Sequence, residues 1–357
     1  MRRDKKTIID YVKTEFRTFN EFEFNSIDAL LFSQLAYLNF EKYITTTGVS
    51  IASLYKAEEF DTMIGDALFY DSNKELIIAV CASPRYRNTI INYQVDKHDF
   101  ENEKQFSALT FFLESNEIVI AYRGTDPSLV GWKEDFNMSF QFPVPSQVEA
   151  LNYLNTIGAK TDNPIILTGH SKGGNLASYA YIYTQIQDRI IKTYDLDGPG
   201  FPLDKIDQEK HKLASEKIVK IIPEGSFVGV LLDSFSPLIY VKSKSIGIMQ
   251  HDLFTWLIKK DEFLLADNSS LIVKKIDNDL NSWVYTLPVE QRKLLIDTSY
   301  DILTTCKSDS IKTLPINLIK QRDIILSKIK GLDKTTIKCI NHMLKQYLVR
   351  NSHRWLV

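Results

Sequence analysis

The spacing of apolar residues changes character along the chain, and each change predicts a different kind of element. Near the N-terminus, IDALLFSQLAYLNFEKY places Ile27, Leu30, Leu31, Leu35 and Leu38 at helical spacing behind the start signals Asn25 and Ser26, which predicts a helix over 26–43. After Gly65 the apolar runs become short and β-rich. LIIAVCAS, NTIINYQV, SALTFFLE and EIVIAYRG, separated by polar or charged stretches, read as four strands in series. From Pro145 the chain alternates: a helix through VEALNYLNTIG, a strand at PIILTG, a helix over 172–188, then strands at IIKTYDL, KIVKII and PLIYVKS. Apolar runs alternating with helices predict a mostly parallel sheet with helices on both faces. The last part reads as helices over 294–306, 316–330 and 334–348, punctuated by Pro288, Pro315 and Gly331. The economical organisation is one α/β body over 1–285, with helices at its N-terminal side, and a helical extension over 286–357.

Composition narrows the classes. The chain has 357 residues and 44% hydrophobic content, enough to fill a large core. Its 43 Lys and Arg against 45 Asp and Glu leave a net charge of -2, which creates no field that demands nucleic acid. From Thr305 onward the balance is basic, with 11 Lys and Arg against three acids. Cys81, Cys306 and Cys339 are odd in number and far apart, so reduced thiols are expected, with no metal and no cofactor. MRRDKKTIIDYVKTEF carries charge but no apolar core of a signal peptide, and no segment approaches the ~20 apolar residues of a membrane span. A cytoplasmic location is expected.

Candidate chemistry centres on ILTGHSKGGNLA, where Gly169-x-Ser171-x-Gly173 follows an apolar strand and opens a helix with small residues. Glycines on both sides relieve crowding at a strained strand-to-helix turn and hold the serine oxygen out at the end of a sheet. A serine hydroxyl needs a histidine base, and the base needs an orienting acid, in the order Ser, acid, His for such a sheet. His251 in GIMQHDLFTW follows the last expected strand and is the preferred base; His211 lies in the charged stretch DQEKHKLASEK, and His342 and His353 lie in the helical tail. Asp197 in YDLDGPGF directly follows a strand and is the preferred acid, with Asp233 and Glu224 as alternatives. Donors for an oxyanion are expected from the backbone N–H of Lys172, whose side chain is expected in solvent, and from Thr125 of RGTD through its N–H and hydroxyl.

Together IVIAYRGT, GWKEDF and GHSKGG resemble the oxyanion strand, Trp-containing lid segment and elbow of the fungal-type, class 3 lipases, which are α/β-hydrolases. The set GWKEDF, GHSKGGNLA, DGPGF and QHD is closer still to a bacterial lipase-like family of largely unassigned function. The resemblance spans roughly 26–256 and implies the α/β-hydrolase fold. Two departures stand out. The lipases carry Leu or a similar residue where Lys172 stands, and Ser226 occupies the position of their acid, so either the acid has moved to Asp197, the favoured reading, or the triad is incomplete.

The resemblance also implies that the apolar segment of Leu129, Val130, Trp132, Phe136, Met138, Phe140 and Phe142, with Trp132 and Phe136 as its candidate substrate contacts, is a lid over an acyl-binding groove; core packing is the alternative for these side chains. The expected function is a serine esterase acting on an acyl ester or lipid through an acyl-enzyme on Ser171. A non-catalytic lipase-like binding module and an acyltransferase using the same site are the competing readings. The basic tail also fits peripheral contact with an anionic membrane.

Overall fold

In the computed structural model, which describes residues 6–126, 129–226, 228–267, 288–305 and 337, eight strands form one sheet in sequence order. They are β1 (Val49–Ser50), β2 (Ile90–Asp99), β3 (Lys104–Phe112), β4 (Ile118–Tyr122), β5 (Ile165–His170), β6 (Ile190–Leu196), β7 (Ile218–Pro223) and β8 (Leu238–Val241). The pairs from β1 to β4 are antiparallel, and those from β4 to β8 are parallel. A small hairpin of β9 (Ile258–Lys259) and β10 (Glu262–Phe263) follows.

Alternate strand residues enter two separate cores, as the two-residue period of a strand requires. From β4, Val119 and Ala121 face one core while Ile118, Ile120 and Tyr122 face the other; from β5, Ile166 and its neighbours Ile165 and Leu167 divide the same way. The first core is closed by α1 (Ile8–Val12), α2 (Ser26–Leu35), α3 (Phe60–Ile64) and α4 (Tyr70–Ala82), and the second by α6 (Pro145–Gly158) and α7 (Lys172–Tyr183). Between β4 and α6 runs α5 (Leu129–Asn137), and α8 (Gln208–Ala214) follows β6. This is the α/β-hydrolase fold, with helices on both faces of a mostly parallel sheet.

Three expectations on elements need correction. LIIAVCAS is not a strand but the second half of α4: Asn73, Leu76, Ile77 and Val80 are buried at helical spacing while Ile78 is 37% exposed. An unbroken apolar run hides its period, and here tertiary burial decides it. The first long helix ends at Leu35, because the Gln94 side chain on β2 takes over two backbone partners, donating to the Leu38 carbonyl at 2.7 Å and accepting from Phe40 N–H at 2.7 Å. Likewise α7 stops at Tyr183, where the Gln187 side chain donates to the carbonyls of Tyr181 and Ile182 at 3.0 and 2.9 Å.

Beyond the body, α9 (Val289–Thr305) matches the first expected C-terminal helix and lies against α5: Arg292 donates to the Ser139 carbonyl at 2.9 Å, and Lys133 pairs with Asp297 at 3.0 Å. The boundary expected at 285, most of the two later helices, the bulk of the basic tail with its membrane contact, and Cys306, Cys339, His342 and His353 lie outside the described residues. Among the described residues no helix is long and apolar enough to cross a membrane.

Candidate active site

The sheet register brings four strand ends together. Tyr122 pairs with Gly169, His170 with Leu196, and Leu196 with Ile221, so the segments after β4, β5, β6 and β7 emerge side by side at the carboxyl edge. Ser171 stands at the tightest of these exits, with φ 59° and ψ -133° between β5 and α7. Such backbone for a residue with a Cβ costs about 1–3 kcal/mol, and it persists because the surroundings hold it. Ser171 N–H donates to the Leu196 carbonyl at 3.0 Å, and Gly174 N–H returns to the Ser171 carbonyl at 2.9 Å. The fold also has no room for a side chain at Gly173, whose Cβ would meet the Tyr122 carbonyl oxygen at 2.1 Å. At Gly124 a Cβ would lie 2.2 Å from the Tyr37 hydroxyl and 3.0 Å from the Ser171 Cβ, which places the Arg123-Gly124-Thr125 loop directly against the serine.

The expected base and acid meet. His251, at the end of a 3-10 turn after β8, bonds through Nδ1 to the Asp197 carboxylate at 2.6 Å. Asp197 is fully buried just past β6, with φ 54°, and it also accepts from the Ser226 hydroxyl at 2.5 Å and from Gly229 N–H at 2.9 Å. Burial pushes its carboxyl up to about 7, and the bonds from Ser226 and Gly229 oppose that rise. Of the alternative acids, Glu224 meets β8 through its backbone N–H, and Asp233 bridges Phe201 through its backbone. The loop carrying His251 is itself fixed. Gln250 accepts from Gly225 N–H at 2.9 Å, its carbonyl accepts from the Trp256 indole at 2.9 Å, and Asp252 caps the next turn at Phe254 N–H. Behind the serine, His170 donates from Nε2 to the His251 carbonyl at 2.9 Å, while the Tyr37 hydroxyl bonds Nδ1 at 2.9 Å.

On the oxyanion side two expectations change. The Thr125 hydroxyl, expected as a donor alongside its N–H, is committed to the Asp135 carboxylate at 2.5 and 2.6 Å. The Lys172 side chain is not in solvent: it is 1% exposed, and its ammonium donates to Glu134 at 2.9 Å, to the Gln105 carbonyl at 2.7 Å and to the Gln105 side chain at 2.9 Å. Its position at the first turn of α7, beneath α5, sends it inward. Lys172 N–H is a first-turn amide of that helix, the kind that lacks an acceptor within the helix.

His211 sits on α8 and is buried, bonded to Tyr183 at 3.0 Å, far from the role of a base. Phe136 is half-buried on α5; Trp132 shares that helix, and its side chain is outside the described residues. In the segment after it Met138 is buried, Phe140 is half-buried, and the half-buried Phe142 ring packs against Tyr179, Tyr183 and Phe201. Sequence reasoning missed Ser226, Gly229, Asp135, Glu134 and Gln105 as partners. Asp135 and Glu134 stood in the quoted GWKEDF, but no rule of spacing says which side chain of a helix meets a loop. Among the described residues no group of three or more His, Cys, Asp or Glu is placed to hold a metal ion.

Solved structures similar to this chain include lipase II from Rhizopus niveus (14% identity over 70% of this chain and 88% of that one, TM-score 0.39). Lip2 lipase from Yarrowia lipolytica is similar at 13% identity over 69% and 87% (TM-score 0.41), and a triacylglycerol lipase from Penicillium expansum at 12% over 51% and 82% (TM-score 0.32). At such identities the likeness says nothing of substrate. No curated protein matches the chain. Residues 80–301 match the model of the Mbeg1-like family, and with more than half of its length inside that match the chain belongs to the Mbeg1-like family.

Proposed function

We propose that this protein is a serine hydrolase of carboxylic esters. The observation that carries the reading is the 2.6 Å bond between His251 Nδ1 and buried Asp197, at the sheet edge where Ser171 holds a positive φ. With Nδ1–H committed to Asp197, Nε2 is the nitrogen that takes a proton. Ser171 Oγ attacks the ester carbonyl as its proton passes to His251, and the negative oxygen of the tetrahedral intermediate accepts from the N–H groups of Lys172 and Thr125. The alcohol leaves with the proton from His251, and water repeats the sequence on the acyl-enzyme. Asp197 holds the imidazole and stabilises its charged form.

Release of p-nitrophenol from a short acyl ester tests the reading. Ser171→Ala and His251→Ala should each lower kcat by about 10⁴-fold or more, and Asp197→Asn by about 10⁴-fold, as for other triads. Hydrolysis by Ser171→Ala at the wild-type rate contradicts it.

A further inference from the structure

We propose that α5 is a fixed wall of the site rather than a movable lid, and that the ester it admits is a monomer dissolved in water rather than one held in a lipid aggregate. The second half of this rests on the hydrolase reading above.

Four side chains of α5 are tied to four different parts of the molecule. Glu134 is fully buried; one oxygen accepts from Ser146 N–H at 2.8 Å, and the other from Gln105 N–H at 3.1 Å and the Lys172 ammonium at 2.9 Å. That single carboxylate joins α5 to the start of α6, to β3 and to the first residue after Ser171. Asp135 takes the Thr125 hydroxyl of the oxyanion loop. On a third side, Lys133 pairs with Glu103 at 2.6 Å and with Asp297 of α9 at 3.0 Å, beneath the Tyr300 ring, and Asn137 donates to Glu103 at 2.8 Å.

Positions 133, 134, 135 and 137 point around the helix at about 100° per residue, so the ties spread over roughly 200° of its circumference instead of lining one narrow stripe. A lid is drawn from the weakly held parts of a fold, with few buried contacts. Lifting α5 would instead leave Glu134 and Lys172 as separated charges in a desolvated pocket, and would orphan the N–H groups of Gln105 and Ser146. It would also take Asp135 from Thr125, so opening would dismantle the oxyanion side rather than complete it. A site with this wall is already assembled in water, and an interface has nothing to add to it.

Two measurements on the wild-type chain decide the matter. Hydrolysis of p-nitrophenyl butyrate, followed from dilute solution through its solubility limit, should saturate on the dissolved ester with no rise at the limit; a jump of about tenfold there overturns the substrate assignment. Amide hydrogen exchange of residues 131–137 should be as slow relative to β5 with phosphatidylcholine vesicles as without them, and acceleration of α5 alone by about tenfold overturns the fixed wall. Glu134→Gln keeps the size and one acceptor but removes the charge, and it should speed α5 exchange about tenfold while β5 is unchanged; unchanged α5 exchange removes the ion pair as the cause. If no ester is turned over and Ser171 takes no active-site label, the hydrolase reading and the dissolved-ester assignment fail together, and exchange still judges the wall by itself.

Discussion

Asp197 is held between two opposed influences. Burial favours its neutral form while Ser226 and Gly229 donate to the charged form, and burial prevails, leaving the carboxyl raised to about 7. In the proposed mechanism the working state has Asp197 charged and His251 neutral, joined at 2.6 Å. Adding a proton to this pair removes the proposed base, so kcat/KM should rise with pH along an acid limb. Ser226→Ala deletes a bond that favours the carboxylate, so the acid limb of that profile should move to higher pH; a shift to lower pH would contradict this account of the pair. The turn after β6 is set by a second buried carboxylate, because Asp195 accepts from Gly198 N–H at 2.9 Å and pairs with Lys220 at 2.7 Å. These positions differ in how readable they are from sequence. Ser171 and His251 declare themselves by motif and chain order, and Asp197 by the Gly-Pro-Gly turn behind it. The side chains that hold them come from remote segments, which local patterns do not join.

At the scale of elements, the N-terminal helices are fixed by one buried ion pair. Arg85 pairs with Asp28 of α2 at 2.6 Å and donates to the carbonyls of Arg17, Phe22 and Glu23, and the Tyr86 hydroxyl also reaches Asp28 at 2.7 Å. Arg85→Met leaves Asp28 charged and buried, so it should cost about 3–5 kcal/mol of stability, read from the denaturant midpoint. A loss within the scatter of surface substitutions would show that the pair is dispensable. On α8, burial pushes His211 down to about 4 from 6.5. The unfolded chain then binds this proton more readily, so its share of stability is complete above about pH 6.5 and fades as pH falls toward 4. His211→Gln should flatten that part of the stability profile, and an unchanged slope assigns it to other groups. The strands from β2 to β8 were legible in the sequence because their apolar runs are short and bounded by turns, whereas the helix α8 was not, its charged stretch reading as a loop. α4 was not, since ELIIAVCA fits a buried strand and a buried helix equally, and only its packing against α1 and the turn after β1 chooses. The end of α2 was hidden for a related reason: its stop signal is Gln94, far along the chain.

For the whole molecule, the site stands where two cores meet the carboxyl edge of one sheet. Ser33 of α2 bonds Thr168 of β5 at 2.8 Å on one face, and on the other Gln147 of α6 bonds Asn175 at 2.8 Å, which ties down the helix α7 that begins directly after Ser171. We propose that the body through residue 285 folds without the extension, as the residues of its two cores all come before that point. A chain ending there should stay folded and lose about 2–8 °C of Tm with the α9 contacts; failure to fold would make the extension part of the body. The fold class was legible from the alternation of strands and helices, while the seating of α9 on α5 was not, because side-chain pairs such as Lys133 and Asp297 leave no pattern in either segment. The central claim is that Ser171 is an activated nucleophile, and the intact mass of the protein after exposure to a fluorophosphonate tests it most directly. The account predicts a single adduct on Ser171 in the wild type and none in Ser171→Ala; folded wild-type protein that takes no adduct, or Ser171→Ala that still takes one, would contradict it.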